Sequence, residues 1–166
     1  SEDPEIMLTT SQLGEILAWG AVGSIVGKIF SGIVADLIGG RRALFACVFT
    51  VALSTMAFSL PSSVFFFSLI HFILRVSQTI GWPGNGLLIN QWFPKQHYGK
   101  AWGITATSSR VHTALAAVLF GALVAAFSWR SSFIIAGSFY LVASFIFLYL
   151  IKSSPTKVGF KDLSDG

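Results

Sequence analysis

Five long apolar stretches, joined by short polar connections, constrain this chain more than any other feature. A helix that crosses a bilayer needs roughly 20 mostly apolar residues. Five stretches approach or exceed that length, at about 13–35, 43–60, 64–91, 101–127 and 132–151. The connections read "DLIGGRR", "PSS", "FPKQHYGK" and "SWRS". In water each helix would need a polar face, and most of these lack one. Composition agrees: 54% of the 166 residues are hydrophobic and 11% charged, with a mean hydropathy of +0.73. A soluble domain carries roughly a quarter charged residues. The chain therefore reads as an all-α polytopic membrane protein, integral and multi-pass, with the lipid bilayer as its surroundings.

Several other classes are set aside by what the residues lack. The net charge of +4 could point to nucleic acid, but no basic run is interleaved with exposed aromatics, so no nucleic-acid partner is expected. "GAVGSIVGKI" looks at first like a phosphate-binding P-loop. That motif needs four residues between its glycines and a Ser or Thr after the lysine. Here three residues separate Gly23 from Gly27, and Ile29 follows Lys28. No zinc-ligand spacing and no nucleophile–base signature is present, so no enzyme activity, metal or cofactor is expected. Cys47, the single cysteine, has no internal disulfide partner.

The basic residues orient the spans. With the first span entering from outside, the inner connections hold Arg41, Arg42, Lys95, Lys100, Lys152, Lys157 and Lys161, and the outer side holds only Arg130. Seven against one is a clear positive-inside bias. The acids Glu2, Asp3 and Glu5 precede the first span, and "SEDPEIM" is no cleavable signal. An inward-running first span normally follows an earlier one, so the sequence is expected to be a fragment lacking a helix upstream. The polar tail is expected to open an inner loop.

The remaining basic residues, Lys28, Arg75 and Arg110, lie inside spans. Each costs roughly 2.5–3.5 kcal/mol at mid-membrane on insertion scales, so they are expected to face a bundle interior or a watery cavity. Lys28 follows the stripe Gly20, Gly23, Gly27, whose small residues favour close helix contact. Snorkelling is the plainer alternative, but Lys28 lies eight residues from Asp36, about 12 Å along a helix. Arg75 shares a helical face with Gln78, Trp82 and Asn85; its alternative is a hydrogen-bonding role between helices. Thr105, Ser108, Ser109 and His112 form one polar face, from which Arg110 is turned away, so one of Arg110 and His112 is expected to be structural. The acids nearest these cations, Glu15 and Asp36, sit at span ends. Unpaired positive charge in a cavity favours anions, and Arg and Lys suit phosphate or carboxylate.

"GKIFSGIVADLIGGRRAL" resembles the signature between the second and third helices of the major facilitator superfamily. Gly32, Asp36, Gly39, Arg41 and Arg42 match it, while Leu37 and Gly40 stand where basic residues are usual. "RVSQTIG", with Arg75, Gln78 and Gly81, is similar to that superfamily's fourth-helix pattern, with Thr79 in place of a glycine. The resemblance implies helices two to six of an N-terminal six-helix bundle over residues 1–151, and the start of the cytoplasmic inter-half loop over 152–166. "GWP" at Gly81–Pro83, with Trp92, Gly99 and Lys28 four residues before Gly32, looks like the organophosphate:phosphate antiporters. In those proteins the matching lysine lines the substrate path. Ser109 stands where they carry a fifth-helix histidine, His112 lies one turn further on, and they have no counterpart of Arg75.

The resemblance implies a secondary transporter in the plasma (inner) membrane, working by alternating access with the missing helices of the same protein. The solute expected is a small organic anion such as a phosphate ester or carboxylate. The residues expected at its path are Lys28, Arg75, Gln78, Ser109, Arg110 and His112. Gly32, Asp36, Gly39, Arg41 and Arg42 are expected to form a conformational latch, the Asp pairing with the arginines across the turn. A proton-coupled exporter and a non-transporting sensor are the alternatives.

Overall fold

The computed structural model describes residues 8–60, 63–153, 155 and 159. Five helices, each long and apolar enough to cross a membrane, account for nearly all of them. They are α1 (Thr10–Ile38), α2 (Gly40–Ala57), α3 (Val64–Trp92), α4 (Tyr98–Ala126) and α5 (Trp129–Leu150), with a short 3-10 turn at Lys95–His97 before α4. Glu2, Asp3, Glu5, Lys157, Lys161 and most of the segment 152–166 lie outside the described residues.

Local chemistry sets the helix ends. α1 starts at Thr10 rather than Leu13 because Thr9 and Gln12 form a capping box: the Thr9 hydroxyl accepts from the Gln12 N–H at 3.3 Å, and the Thr9 N–H donates to Gln12 Oε1 at 2.9 Å. α1 stops at Gly39, whose φ of +81° lies in the left-handed region. A single glycine therefore separates α1 from α2. Ser128 caps α5 by accepting from the Ser131 N–H at 3.3 Å. Pro83 sits within α3; it has no N–H to donate, so the Thr79 carbonyl loses its ordinary helical partner.

Packing runs inside-out relative to a water-soluble protein. The best-buried positions are small: Ala35, Ala43, Ala52, Ser132 and Ser144 are fully covered. Large apolar side chains point outward, among them Ile25 at 61%, Ile33 at 60% and Phe139 at 75% exposure. In water such a surface would aggregate; against lipid tails it costs nothing, and helix contact comes from close packing of small residues. Several buried hydroxyls bond within their own helix, as Ser132 Oγ does to the Ser128 carbonyl at 3.0 Å and Ser144 Oγ to the Leu141 carbonyl at 2.7 Å, while Ser68 Oγ has no partner among the described residues.

α3 is central, with the parallel α1 on one side and the antiparallel α2 on the other; α5 packs antiparallel on α2. α4 touches its neighbours lightly, and Ala101 is its one buried residue. Between α4 and α5 lies an apolar groove of about 1390 Å³, lined by Ile104, Val111, His112, Leu115, Phe133 and Tyr140 among others.

Candidate functional site

The tightest seam in the molecule fixes the depth of Lys28. On α1, Gly20, Gly23 and Gly27 face His71, Phe72, Val76 and Thr79 of α3. A Cβ at Gly23 would stand 2.6 Å from the Phe72 carbonyl oxygen, and one at Gly27 would overlap the Thr79 hydroxyl and crowd the Val76 carbonyl. The seam is therefore backbone on backbone. Contact positions rise together along the two helices, so α1 and α3 run parallel.

Lys28 follows Gly27, and Arg75 precedes Val76. In parallel right-handed helices a step forward on one and a step back on the other turn both residues to the same side of the seam. Lys28 and Arg75 thus emerge on one side, within a helical turn in depth, and both are exposed. Arg75 Nη1 donates to Gln78 Oε1 at 3.3 Å. His71, one turn earlier, packs over Gly20 and edge-on against Phe58.

The Arg75 face turns toward α4. The Trp82 and Trp102 rings stack in parallel, with centroids 6.1 Å apart and planes inclined by 11°. Tyr98 Oη donates to the Asn90 carbonyl at 3.3 Å, so α3 and α4 run antiparallel. Counting seven residues from the tryptophan pair reaches Arg75 on α3 and Ser109 on α4. Seven residues return to nearly the same face, so Ser109 lies level with Arg75 on the face that carries Trp102.

The polar face expected on α4 divides. Ser108 and His112 line the groove toward α5, where His112 Nε2 and Tyr140 Oη lie 3.1 Å apart in a hydrogen bond. Ser109 is not part of that groove. Arg110 is exposed and belongs neither to the groove nor to the Trp102 face. Lys28, Arg75 and Gln78 thus lie on one side of the α1–α3 seam, Ser109 is at the level of Arg75 on α4, His112 is paired with Tyr140, and Arg110 stands apart.

At the α1–α2 turn, Gly39 supplies the reversal, and Gly32 has open space beside it. Asp36 and Arg42 are exposed. Arg41 is directed elsewhere: its Nη2 donates to the Leu148 carbonyl at the end of α5. Sequence reasoning did not single out Trp82–Trp102 as a pair, Tyr140 or this use of Arg41. Each depends on inter-helix register, which composition does not carry.

Five apolar helices with small-residue seams and outward-facing hydrophobic side chains define a polytopic integral membrane protein. The sequence profile described as Major Facilitator Superfamily matches residues 4–165. The chain belongs to the major facilitator superfamily, a family of transporters rather than enzymes. It is 28% identical to the probable sulfoacetate transporter SauU of Cupriavidus necator, over 92% of this chain and 36% of that protein. It is 28% identical to a probable hexose phosphate transport protein of Chlamydia muridarum, over 81% of this chain and 29% of that protein. Similarity to the membrane sensor protein UhpC of Salmonella typhimurium is 23% identity, over 98% of this chain and 38% of that protein. The chain spans about a third of the length of these relatives.

Proposed function

We propose that this chain is part of a secondary transporter for small organic anions, working by alternating access in the inner membrane. The observation that carries the reading is the placement of Lys28 and Arg75 on one side of the α1–α3 seam at one depth, with Ser109 level on α4. Two cations on one side of the seam suit a phosphate, sulfonate or carboxylate headgroup, the arginine by paired donors and the lysine as a point charge. Glu15 and Asp36, the acids nearest them, stand at opposite ends of α1, so the cations have no carboxylate beside them on that helix to cancel their field.

The names of two relatives support the solute class, since sulfoacetate and hexose phosphate are both anions. The thin contacts of α4 and its apolar groove fit a larger bundle, in which further helices of the same protein complete the path. The latch is proposed at the Asp36 end, on the cytoplasmic side, where Asp36 and Arg42 are exposed toward the rest of the protein.

The test is anion exchange by the full-length protein in proteoliposomes, with Lys28→Ala and Arg75→Ala alongside. Exchange of an organic phosphate or sulfonate that both variants abolish supports the reading; exchange indifferent to both contradicts it. A second reading, a sensor that binds the anion without moving it, is favoured by the likeness to UhpC along almost the whole chain. Saturable binding with no flux would select it.

A further inference from the structure

Two arginines occupy a position that their own helices disfavour. Arg41 is the second residue of α2 and Arg130 the second residue of α5, and neither helix has an acid in its first turn. The start of a helix carries partial positive charge and favours anions; its end carries unpaired carbonyls and favours cations. An arginine in the first turn therefore works against its own helix.

The structure shows what compensates. α2 and α5 are antiparallel, so each start lies beside the other's end. Arg41 Nη2 donates to the Leu148 carbonyl in the last turn of α5. At the opposite end, Arg130 Nη1 donates to the Ser59 carbonyl just past α2. Each arginine supplies the missing donor for the partner helix's end. The Arg130 guanidinium also lies 4.5 Å from the centroid of the Trp129 ring.

Between these ends the contact is dense: Gly137 packs on the Ala52 carbonyl and Met56, Ser132 and Ser144 are fully buried, and Phe45 and Phe49 meet Phe145. From Arg41 to Ser59 a helix rises roughly 27 Å, close to the thickness of a hydrocarbon core at about 30 Å. That separation would set the two bonds near opposite faces of a bilayer.

We infer that Arg41 and Arg130 are reciprocal end caps that bind α2 and α5 into one rigid pair, and that Arg41 therefore acts on α5 and not on Asp36. The turn divides its labour: Arg41, half-buried, fixes the end of α5, while Asp36 and Arg42 are exposed and form no ion pair among the described residues. Trp92 strengthens the same corner, its Nε1 donating to the Lys152 carbonyl at 3.0 Å. Arg130, the one basic residue expected on the outer side, stands there as the cap of α2. The inference does not depend on the solute.

The test is amide hydrogen exchange on the full-length protein in detergent, comparing Arg41→Gln, Arg130→Gln and Asp36→Asn. Hydrogen bonds from charged groups are worth roughly 1.5–3 kcal/mol, so losing one speeds local exchange roughly tenfold or more. Arg41→Gln is expected to raise exchange at 149–153 and spare 58–60, Arg130→Gln to do the reverse, and Asp36→Asn to change neither. Arg41→Lys, which keeps one donor, is expected to give an intermediate rise and serves if the Gln variant folds poorly. Unchanged exchange at an arginine's own target end would overturn the inference. So would equal rises at both ends from either variant, or an Asp36→Asn effect at 149–153 matching that of Arg41→Gln.

Discussion

At the residue scale the account turns on which cations meet the solute. Lys28 and Arg75 share a side and a depth, so their removal is expected to act alike. A charge-assisted hydrogen bond is worth roughly 1.5–3 kcal/mol, so each alanine variant should weaken solute affinity by about tenfold to a hundredfold. Equilibrium binding to the purified full-length protein checks this. Arg110→Gln, off both the groove and the Trp102 face, should change affinity less than threefold, or under about 0.7 kcal/mol. The three cations were legible in the sequence, because intramembrane charge is rare enough to stand out against apolar surroundings. Their sorting was not. Helical phase separated Ser109 from Ser108 and His112 only once Trp102 had been fixed against Trp82, twenty residues away in sequence.

At the scale of elements, the α1–α3 seam holds the depth of the site. Its glycines are required by contact, with Gly27 placed against the Thr79 hydroxyl and Val76 carbonyl. Gly27→Leu would force the helices apart at a cost of roughly 1–3 kcal/mol. A lower melting temperature of the full-length protein in detergent is expected, together with weakened anion binding, since Lys28 and Arg75 would separate. Gly32, with open space beside it, should accept alanine with no loss of melting temperature. Reading the chain as five apolar segments anticipated the five membrane-length helices among the described residues, because length and hydropathy alone mark a membrane span. The ends were less legible: the Thr9–Gln12 capping box carries α1 three residues before the apolar window at Leu13, and Ser128 starts α5 before the window at Ser132. The stripe Gly20, Gly23, Gly27 signalled a close seam, but not that α3 was the partner or that it ran parallel.

At the scale of the whole molecule, the five helices, α4 sparsely covered among them, correspond to about a third of the length of longer relatives. In the proposed transporter the substrate site lies between two halves that rock about it, so the residues 1–166 alone are expected to give no flux in proteoliposomes. The family was legible because the glycine, Asp and arginine spacing at Gly32–Arg42 is a property of one turn between two helices. The role of Arg41 was not, because its acceptor, Leu148, is 107 residues away. The proposed selection of anions for exchange rests on the paired cations Lys28 and Arg75 at the α1–α3 seam. Its most direct test is counterflow of labelled inorganic phosphate into proteoliposomes holding the full-length protein, with hexose phosphate, sulfoacetate or an organic cation as the unlabelled trans solute. Uptake accelerated by the anions, ignored by the cation and lost in Lys28→Ala is expected; uptake driven by the cation, or anion uptake unchanged in that variant, would overturn the assignment.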